Sequence, residues 1–283
     1  MAKVIKMLSK AEILNILEQE EHVINCLGLK KHKGQFKSEI KKKINEIAGF
    51  CEQILKIVKK LDRSKEIVFL ECSCGKSYLS FVLNYIFEKE FNIKAFFYGV
   101  DIKEELVQRC EEISSVLGYS NMIFKQGRTI DFIPPDKEVD VVIALHACNT
   151  ATDEAIAKGI KISAKHIMVV PCCYGQLSSQ IKDSHPLISL TQFGLLRYKF
   201  ADILTDALRS QFLLGNGYYV DLLEIVSPKL TPKNILISAR KIKGRNKRNL
   251  ERYYELNGMF NTDFGLQEFF HARSPNDALA CTG

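Results

Sequence analysis

Short apolar runs alternate with segments of helical periodicity through the middle of the chain. The apolar runs predict buried strands at residues 67–71, 95–100, 121–125, 139–145 and 165–170. The segments between them repeat their apolar residues at helical spacing and predict helices at about 76–90, 103–117 and 150–161. Because strands and helices alternate, the pattern predicts βαβ units and a mostly parallel α/β sheet with right-handed crossovers.

Two β-rich runs towards the C-terminal end predict an antiparallel hairpin. They span residues 217–226 and 233–241, follow a helical segment at about 184–213, and flank a turn that contains Pro228 and Pro232. Proline cannot donate to a strand ladder, so it is confined to turns and edge strands. The hairpin is therefore expected at the edge of the sheet.

The first part of the chain carries a different pattern. Apolar residues recur at helical spacing over residues 10–25 and 36–62, and Ser9 is placed to cap the first of these helices. The chain is thus predicted to contain an N-terminal helical region, an α/β domain and a basic C-terminal extension, at residues 1–64, 65–243 and 244–283.

The composition limits the class of protein. With 283 residues, 46 % of them hydrophobic, the chain is long enough for one α/β domain with a smaller attachment. No apolar run reaches the ~18 residues needed to span a bilayer. The N-terminal stretch lacks the small-residue cleavage site of a secretion signal. These features predict a cytoplasmic protein with no membrane segment, whose nine cysteines stay reduced.

Positive charge is concentrated at the two ends. Residues 1–65 hold 15 Lys and Arg against 8 Asp and Glu, and residues 228–253 hold 9 against 1. Basic ends around an acidic middle favour a polyanionic partner, such as RNA, bound by the periphery rather than by a central cleft. The alternative is that these lysines form the solvated faces of helices.

A strand, a tight turn and a helix start follow one another at Ile67–Phe81, read as IVFLECSCGKSYLSF. The turn has a single glycine, Gly75, which excludes a P-loop and weakens a dinucleotide fingerprint. What remains is Glu71 at the end of one strand and Asp101 at the end of the next. Two acids at neighbouring strand ends suit a ligand with ribose hydroxyls and a cationic amino-acid part, as in S-adenosylmethionine. The alternative is an ordinary sheet whose strand ends carry polar residues.

Further candidate residues follow the third and fourth predicted strands. Arg128 and Thr129 lie where an adenine ring and its amine would bind, although Arg128 is equally consistent with a surface charge. His146, at the end of the fourth strand, is a candidate general base or acceptor-orienting group, and Asp153 is a candidate to orient it or to favour the helix start. A structural histidine is the alternative for His146.

Thiols are also expected along the carboxyl ends of the strands, at Cys72, Cys74, Cys148, Cys172 and Cys173. No pair of CxxC motifs is present, so no metal site is predicted. Buried thiols that act as small hydrophobic groups are the preferred interpretation.

Four segments together resemble a known family. ECSCGKSYLSF, ALHACNTATDEAIAKG, VVPCCYGQ and TPKNILISAR are similar to segments of class I S-adenosylmethionine-dependent methyltransferases. The relatives include a glutathione-transferase C-terminal-domain-containing protein and, more distantly, tRNA ribose 2′-O-methyltransferases. The resemblance covers about residues 65–242. It implies a Rossmann-like methyltransferase sheet over 65–243, with S-adenosyl-L-methionine as cofactor.

The resemblance also implies roles for individual residues. Glu71, Ser73 and Gly75 fall on the methionine-binding turn, Asp101 on the ribose-binding acid, and Leu145 with His146 on the strand-end motif that lines the transfer site. The turn departs from the family pattern because Ser73 stands where a glycine is usual. A backbone with negative φ would tolerate this serine.

Three functions therefore follow as hypotheses. The leading one is a methyltransferase that modifies an oxygen or nitrogen nucleophile, with RNA (tRNA or rRNA) as the expected acceptor. The others are a non-catalytic binding or scaffold protein on the same fold, and a small-molecule methyltransferase.

Overall fold

A computed structural model describes residues 7–29, 31, 36–62, 64–147, 150–172, 175–181, 185–242, 244–262 and 264–270. The described strands, in chain order, are β1 Ile67–Cys72, β2 Ala95–Asp101, β3 Met122–Gln126, β4 Val141–Leu145, β5 His166–Val170, β6 Tyr218–Glu224 and β7 Ile235–Lys241. They form one sheet in the order β3-β2-β1-β4-β5-β7-β6. The predicted strands and hairpin are present, with ends that differ by one or two residues in most cases.

The first five strands are parallel, whereas β7 and β6 run antiparallel to their neighbours and β6 forms the edge. The predicted sheet with a terminal hairpin is therefore confirmed. The chain order reverses direction between β1 and β4. In open α/β sheets, ligands bind beyond the carboxyl ends of the strands at such a switch point, so this edge is where a site is expected.

The described helices are α1 Lys10–Gln19, α2 Glu21–Cys26, α3 Ser38–Val58, α4 Tyr78–Ile86, α5 Glu104–Leu117, α6 Thr150–Lys161, α7 Gly175–Gln180, α8 Ile188–Thr191, α9 Gly194–Gly215 and α10 Lys247–Phe260. A π-helix continues α4 over Phe87–Phe91, and a 3-10 helix spans Gly265–Phe270. None of the described helices has both the length and the apolar character to cross a membrane.

Two predicted helical segments are interrupted in the structure. The segment predicted over 10–25 is divided at Glu20, where the backbone leaves helical geometry between α1 and α2. The segment predicted over 184–213 is divided between α8 and α9, because Phe193 adopts an extended conformation. The prediction for Ser9 is confirmed: it caps α1 in a capping box with Glu12.

Each face of the sheet is covered by its own group of helices. Apolar residues of α1, α3, α4 and α5 form one buried cluster with inward residues of β1, β2 and β3. Those of α6, α9 and α10 form a second cluster on the opposite face. The N-terminal helices therefore share a core with the sheet, and the domain boundary at residue 64 stays a prediction.

The direction of α3 decides what reaches the carboxyl edge. The C-terminal end of α3 lies near the amino edge of the sheet, because β1 begins shortly after it. Its N-terminal half therefore extends towards the carboxyl edge. Gly49 allows α3 to approach the backbone after β6 closely. A Cβ on this residue would lie 2.1 Å from the backbone oxygen of Ile225, which follows β6.

Candidate functional site

Glu71 is the penultimate residue of β1, lies beneath the first turn and is buried. Its Oε2 accepts hydrogen bonds from Ser77 Oγ and from Ser80 Oγ, the latter at 2.6 Å. Burial raises the pKa of Glu71 to about 7, and the two serine hydroxyls oppose this shift. Glu71 thus connects the start of α4 to β1 through hydrogen bonds. It would affect cofactor binding only through the conformation of the turn.

The first turn contains three residues in the left-handed region. Ser73, Gly75 and Ser77 have φ of 50°, 55° and 50°. The condition under which a serine would be tolerated here, a negative φ, is therefore not met at Ser73. The left-handed conformation costs a non-glycine residue ~1 kcal/mol or more. No atom lies within 4 Å of a Cβ placed on Gly75, so the turn is open on that side.

Asp101 ends β2 beside this turn and is held in place by the backbone. Its Oδ2 accepts from the N–H of Gly75 at 2.8 Å, and its Oδ1 accepts from the N–H of Lys103 at 3.0 Å. Each carboxylate oxygen has capacity for a second hydrogen bond, which is what a ribose diol requires. Ile102 lies between Asp101 and Lys103, and its residue surface is 66 % exposed. The sequence interpretation did not single out this apolar surface. The sequence feature that could have indicated Ile102 is its position as an apolar residue directly after the acid that ends β2.

Arg128 and Thr129 lie beyond the end of β3. The Arg128 guanidinium forms an ion pair with Glu154 of α6, with Nε to Oε1 at 3.0 Å, and this contact raises the pKa of Arg128. Thr129 is buried and hydrogen-bonds the thiol of Cys72. Both residues therefore join β3 to its neighbours, and their predicted adenine role stays a prediction.

His146 follows the half-buried Leu145 at the carboxyl end of β4, with φ of 61°. Its backbone N–H donates to Val170 O at 3.0 Å. Its Nε2 lies 3.2 Å from Oε2 of Glu46, a buried residue of α3. The sequence interpretation missed Glu46. The sequence feature that could have indicated Glu46 is an acid on the apolar face of α3.

Asp153, predicted to assist His146 or the helix start, lies in the first turn of α6 and contacts a different residue. Its Oδ1 accepts from Nε of the buried Arg209 of α9 at 2.8 Å. Burial raises the pKa of Asp153, and Arg209 opposes the shift. The carboxylate that contacts His146 is that of Glu46, while Asp153 joins α6 to α9.

The predicted thiols are divided between the two faces of the sheet. Cys72 belongs to the cluster that contains α6, whereas Cys74 belongs to the cluster that contains α5. Burial raises the pKa of Cys72, as expected for a small hydrophobic group. Cys148 and Cys173 lie outside the described residues. Among the described residues, no three His, Cys, Asp or Glu side chains are grouped to hold a metal.

The basic half of α3 and the basic start of α10 lie at opposite edges of the sheet, whereas the turn between β6 and β7, which carries Lys229 and Lys233, lies at the carboxyl edge. Lys41 and Lys43, in the N-terminal half of α3, lie towards the carboxyl edge, and Lys43 Nζ is 4.8 Å from the ring centre of Tyr78. Tyr78 is the first residue of α4, directly after the first turn. The α10 start instead lies at the amino edge, where Asn246 N–H bonds Gly215 O at 2.7 Å. Of these two helices, α3 is the one that borders the candidate site.

Part of the chain is similar to a known protein family. Residues 42–180 match a family model described as a methyltransferase domain. These residues, just under half of the chain, are similar to a methyltransferase domain. The matched range begins in α3, includes the first turn, Asp101 and His146, and ends with α7. The predicted resemblance to methyltransferases is therefore confirmed.

Two curated relatives and one solved structure complete the comparison. Glutathione S-transferase C-terminal domain-containing protein of Homo sapiens is 34% identical over 164 residues, 49% of this chain and 25% of that protein. The Xenopus laevis protein of the same name is 37% identical over 87 residues, 31% of this chain and 14% of that protein. The chain thus spans no more than a quarter of the length of these relatives.

The solved structure is magnesium protoporphyrin IX methyltransferase from Synechocystis with bound SAH. The likeness has a TM-score of 0.50 at 16% identity and covers 81% of this chain and 100% of that chain. A likeness at this identity concerns the fold, and it agrees with the sheet order described above.

Proposed function

We propose that this chain is an S-adenosylmethionine-dependent methyltransferase whose acceptor is RNA. The observation that carries the proposal is the pairing of Asp101 with Gly75 at the switch point of a methyltransferase-family sheet. The acid of β2 and the open side of the first turn stand next to each other, joined by the 2.8 Å bond between Gly75 N–H and Asp101 Oδ2.

The residues at this edge fit the cofactor part by part. Asp101 offers carboxylate oxygens to the ribose hydroxyls, and its geometry is fixed in advance by the two backbone donors. The exposed side chain of Ile102 offers an apolar surface to the adenine ring. The open space at Gly75 leaves room for the methionine part above the turn.

When bound, S-adenosylmethionine supplies an activated methyl group on a sulfonium leaving group. The residues of this chain then have two tasks: to align the acceptor in line with the methyl carbon, and to take one proton from it. His146 carries the second task in this proposal. It lies at the carboxyl end of β4, next to the strand β1 that leads into the first turn.

RNA is proposed as acceptor because of the basic half of α3. Lys41 and Lys43 are exposed and lie on the side of the sheet where the cofactor would bind. A phosphate backbone held there would bring a nucleotide to His146 without contacts to the amino edge. In this proposal the basic C-terminal segment contributes less to RNA binding than α3.

The cofactor is tested by titrating the purified protein with S-adenosylhomocysteine in a calorimeter. Replacing Asp101 with alanine should weaken binding at least tenfold, about 1.4 kcal/mol, because the ribose hydroxyls lose their acceptor. The control is Asp221→Ala, which removes an exposed acid on the edge strand β6 and should leave the affinity unchanged. Absence of binding by the wild-type protein at millimolar ligand would contradict the proposal.

A non-catalytic binding protein is the second candidate, and the left-handed serines favour it. Ser73 and Ser77 hold φ of 50°, a conformation that a glycine would adopt with less strain. This candidate predicts no methyl transfer to tRNA or rRNA in an assay with methyl-labelled S-adenosylmethionine. Transfer to either RNA would exclude it.

A further inference from the structure

Six large apolar residues are exposed along α8 and the start of α9. This group, which we call the α8–α9 patch, consists of Leu187, Leu190, Phe193, Leu195, Leu196 and Tyr198. Each of them is between 39% and 71% exposed. Single exposed apolar residues are normal on a protein surface, but a concentration of them in one segment marks a surface that another molecule covers.

The patch lies at the carboxyl edge of the sheet, the edge that holds the candidate site. α9 ends at the amino edge, because β6 follows it there and Tyr218 pairs with Lys241 at the end of β7. Nearer its start, Asp202 of α9 forms an ion pair of 2.6 Å with Lys233, which precedes β7 at the carboxyl edge. Residues 194–201, about 12 Å of helix, therefore lie at or beyond that edge.

The residues at the start of α9 are unfavourable for a helix start. Phe193 occupies the N-cap position and makes no side-chain hydrogen bond there, although a polar residue would stabilise the helix. The first turn contains no acid, and Arg197 at the end of this turn has a charge that the helix dipole disfavours. These residues do not serve the helix, so they favour a binding role for the segment.

Positive charge accompanies the aromatic residues of the patch. Arg197 and Lys199 flank Tyr198, and residues 185–201 contain no Asp or Glu. Lys199 is exposed and Arg197 is half-buried. The next acid along the chain, Asp202, is already paired with Lys233. The segment therefore favours an anionic ligand that also presents flat apolar faces.

We propose that the α8–α9 patch binds unpaired nucleotides of the acceptor RNA, an inference that rests on the proposed methyltransferase function. Bases of a single strand stack on Phe193 and Tyr198, and the adjacent phosphates pair with Arg197 and Lys199. In a duplex the faces of the bases are covered by their neighbours, so a duplex cannot make the stacking contacts.

The position of the patch relative to α3 supports this ligand. α9 belongs to the helices that cover one face of the sheet, and α3 belongs to those that cover the other. The carboxyl ends of the strands lie between these two layers. A strand of RNA held by the lysines of α3 on one side and by the patch on the other crosses the edge at which His146 follows β4.

The test measures RNA binding by the whole chain in fluorescence-anisotropy titrations at fixed salt. The probes are an end-labelled oligoadenylate of about 12 nucleotides and the same strand paired with oligouridylate. Phe193→Leu and Tyr198→Leu remove the aromatic rings but keep apolar side chains. The matched control is Tyr254→Leu in α10, which removes a tyrosine that is 54% exposed and lies outside the patch.

Each patch variant should bind the single strand about fivefold more weakly, and the double variant about twentyfold more weakly, because each substitution removes one stacked base. Affinity for the duplex should stay within twofold of wild type, and Tyr254→Leu should change neither affinity. The replaced side chains are exposed, so all variants should melt at the temperature of wild type.

Three results would overturn the proposal. The first is an unchanged affinity of the double variant for the single strand. The second is an equal loss of affinity for both probes, which would indicate contacts with the RNA backbone alone. The third is a wild-type protein that binds neither probe, which would leave the patch to a protein partner.

The cations of the patch give an independent measurement. Arg197→Gln combined with Lys199→Gln should reduce the slope of log affinity against log salt for the single strand by about 0.7 for each cation. An unchanged slope would contradict the phosphate contacts.

Titration with S-adenosylhomocysteine in the absence of RNA distinguishes failure of this inference from failure of the proposed function. Wild type and the Phe193→Leu, Tyr198→Leu double variant should bind it with affinities within twofold of each other. If both bind it but affinity for the single strand does not depend on the two rings, the inference alone fails. If neither binds it, the failure is that of the proposed function.

Discussion

The two acids at neighbouring strand ends have different environments. Glu71 is enclosed beneath the turn and bonded to serine hydroxyls, and burial raises its pKa to about 7. Asp101 is bonded by two backbone N–H groups. Burial favours the neutral form of the Glu71 carboxyl. Two acids of similar chemistry thus have different partners: Glu71 holds serine side chains of the turn and of α4, and Asp101 holds backbone N–H groups.

The raised pKa of Glu71 predicts a pH dependence of stability. Because the folded protein holds this proton more tightly than the unfolded chain, Glu71 contributes stability at low pH, and this contribution is lost as the pH rises from about 4.5 to about 7. Glu71→Gln keeps an acceptor for both serines without the charge. Between pH 5 and pH 8, the free energy of unfolding of wild type should fall by about 1–3 kcal/mol more than that of the variant.

Urea denaturation at four pH values in that range measures the difference. The buried His166, whose pKa burial lowers to about 4, is common to both proteins and cancels in the comparison. Parallel curves for wild type and Glu71→Gln would show that the Glu71 carboxyl has an ordinary pKa in the folded protein.

At the scale of elements, α3 joins the N-terminal region to the candidate site. Its C-terminal half shares a buried apolar cluster with β1 and β2, and its N-terminal half brings Glu46 and the lysines to the carboxyl edge. The helix can take this position because Gly49 lets it approach the backbone after β6. A long amphipathic helix alone would predict packing against the sheet, but not which end reaches the site.

The close approach at Gly49 predicts a cost for any side chain there. Gly49→Ala places a Cβ 2.1 Å from the backbone oxygen of Ile225, so α3 or the segment after β6 must move. We expect a loss of about 1–3 kcal/mol in the free energy of unfolding, as for other overpacked positions.

The matched control for this change is Gly258→Ala in α10, where no atom lies within 4 Å of the new Cβ. It should stabilise the protein by about 0.5–1 kcal/mol, because alanine is the better helix former. Denaturant unfolding of both variants provides the comparison. Equal stabilisation by the two alanines would mean that α3 does not pack closely on Ile225.

At the scale of the whole molecule, the sheet separates the basic half of α3 from the basic start of α10. The lysines of α3 lie towards the carboxyl edge, with Lys43 near Tyr78, whereas the start of α10 lies at the amino edge beside Gly215. A single RNA segment at the candidate site would contact the first and not the second.

This separation predicts an asymmetric effect of charge removal. If RNA is the acceptor, the double variant Lys41→Gln with Lys43→Gln should weaken RNA binding. It should also reduce the slope of log affinity against log salt by about 0.7 for each lysine that contacts a single strand. The matched pair Lys247→Gln with Arg248→Gln, both exposed, should leave the slope unchanged. Equal effects of the two pairs in filter-binding titrations would place RNA on both edges.

The sequence by itself determined the strands, most helices, the terminal hairpin and the acids that end β1 and β2. Strand and helix periodicity is local, and the hairpin is marked by its own prolines, so these features do not depend on distant contacts. The methyltransferase resemblance was carried by four contiguous segments, which likewise can be identified without knowledge of distant contacts. The sequence also placed His146 at the correct edge, since all parallel strands end there.

Only the tertiary structure decided which side chains meet. Glu46 contacts His146, and Asp153 contacts Arg209 instead, because each contact joins elements that are far apart in the chain and is fixed by how helices pack on the sheet. The left-handed φ of Ser73 likewise depends on how the turn joins β1 to α4. The positions of the basic segments follow from the directions of α3 and α10, which no local pattern specifies.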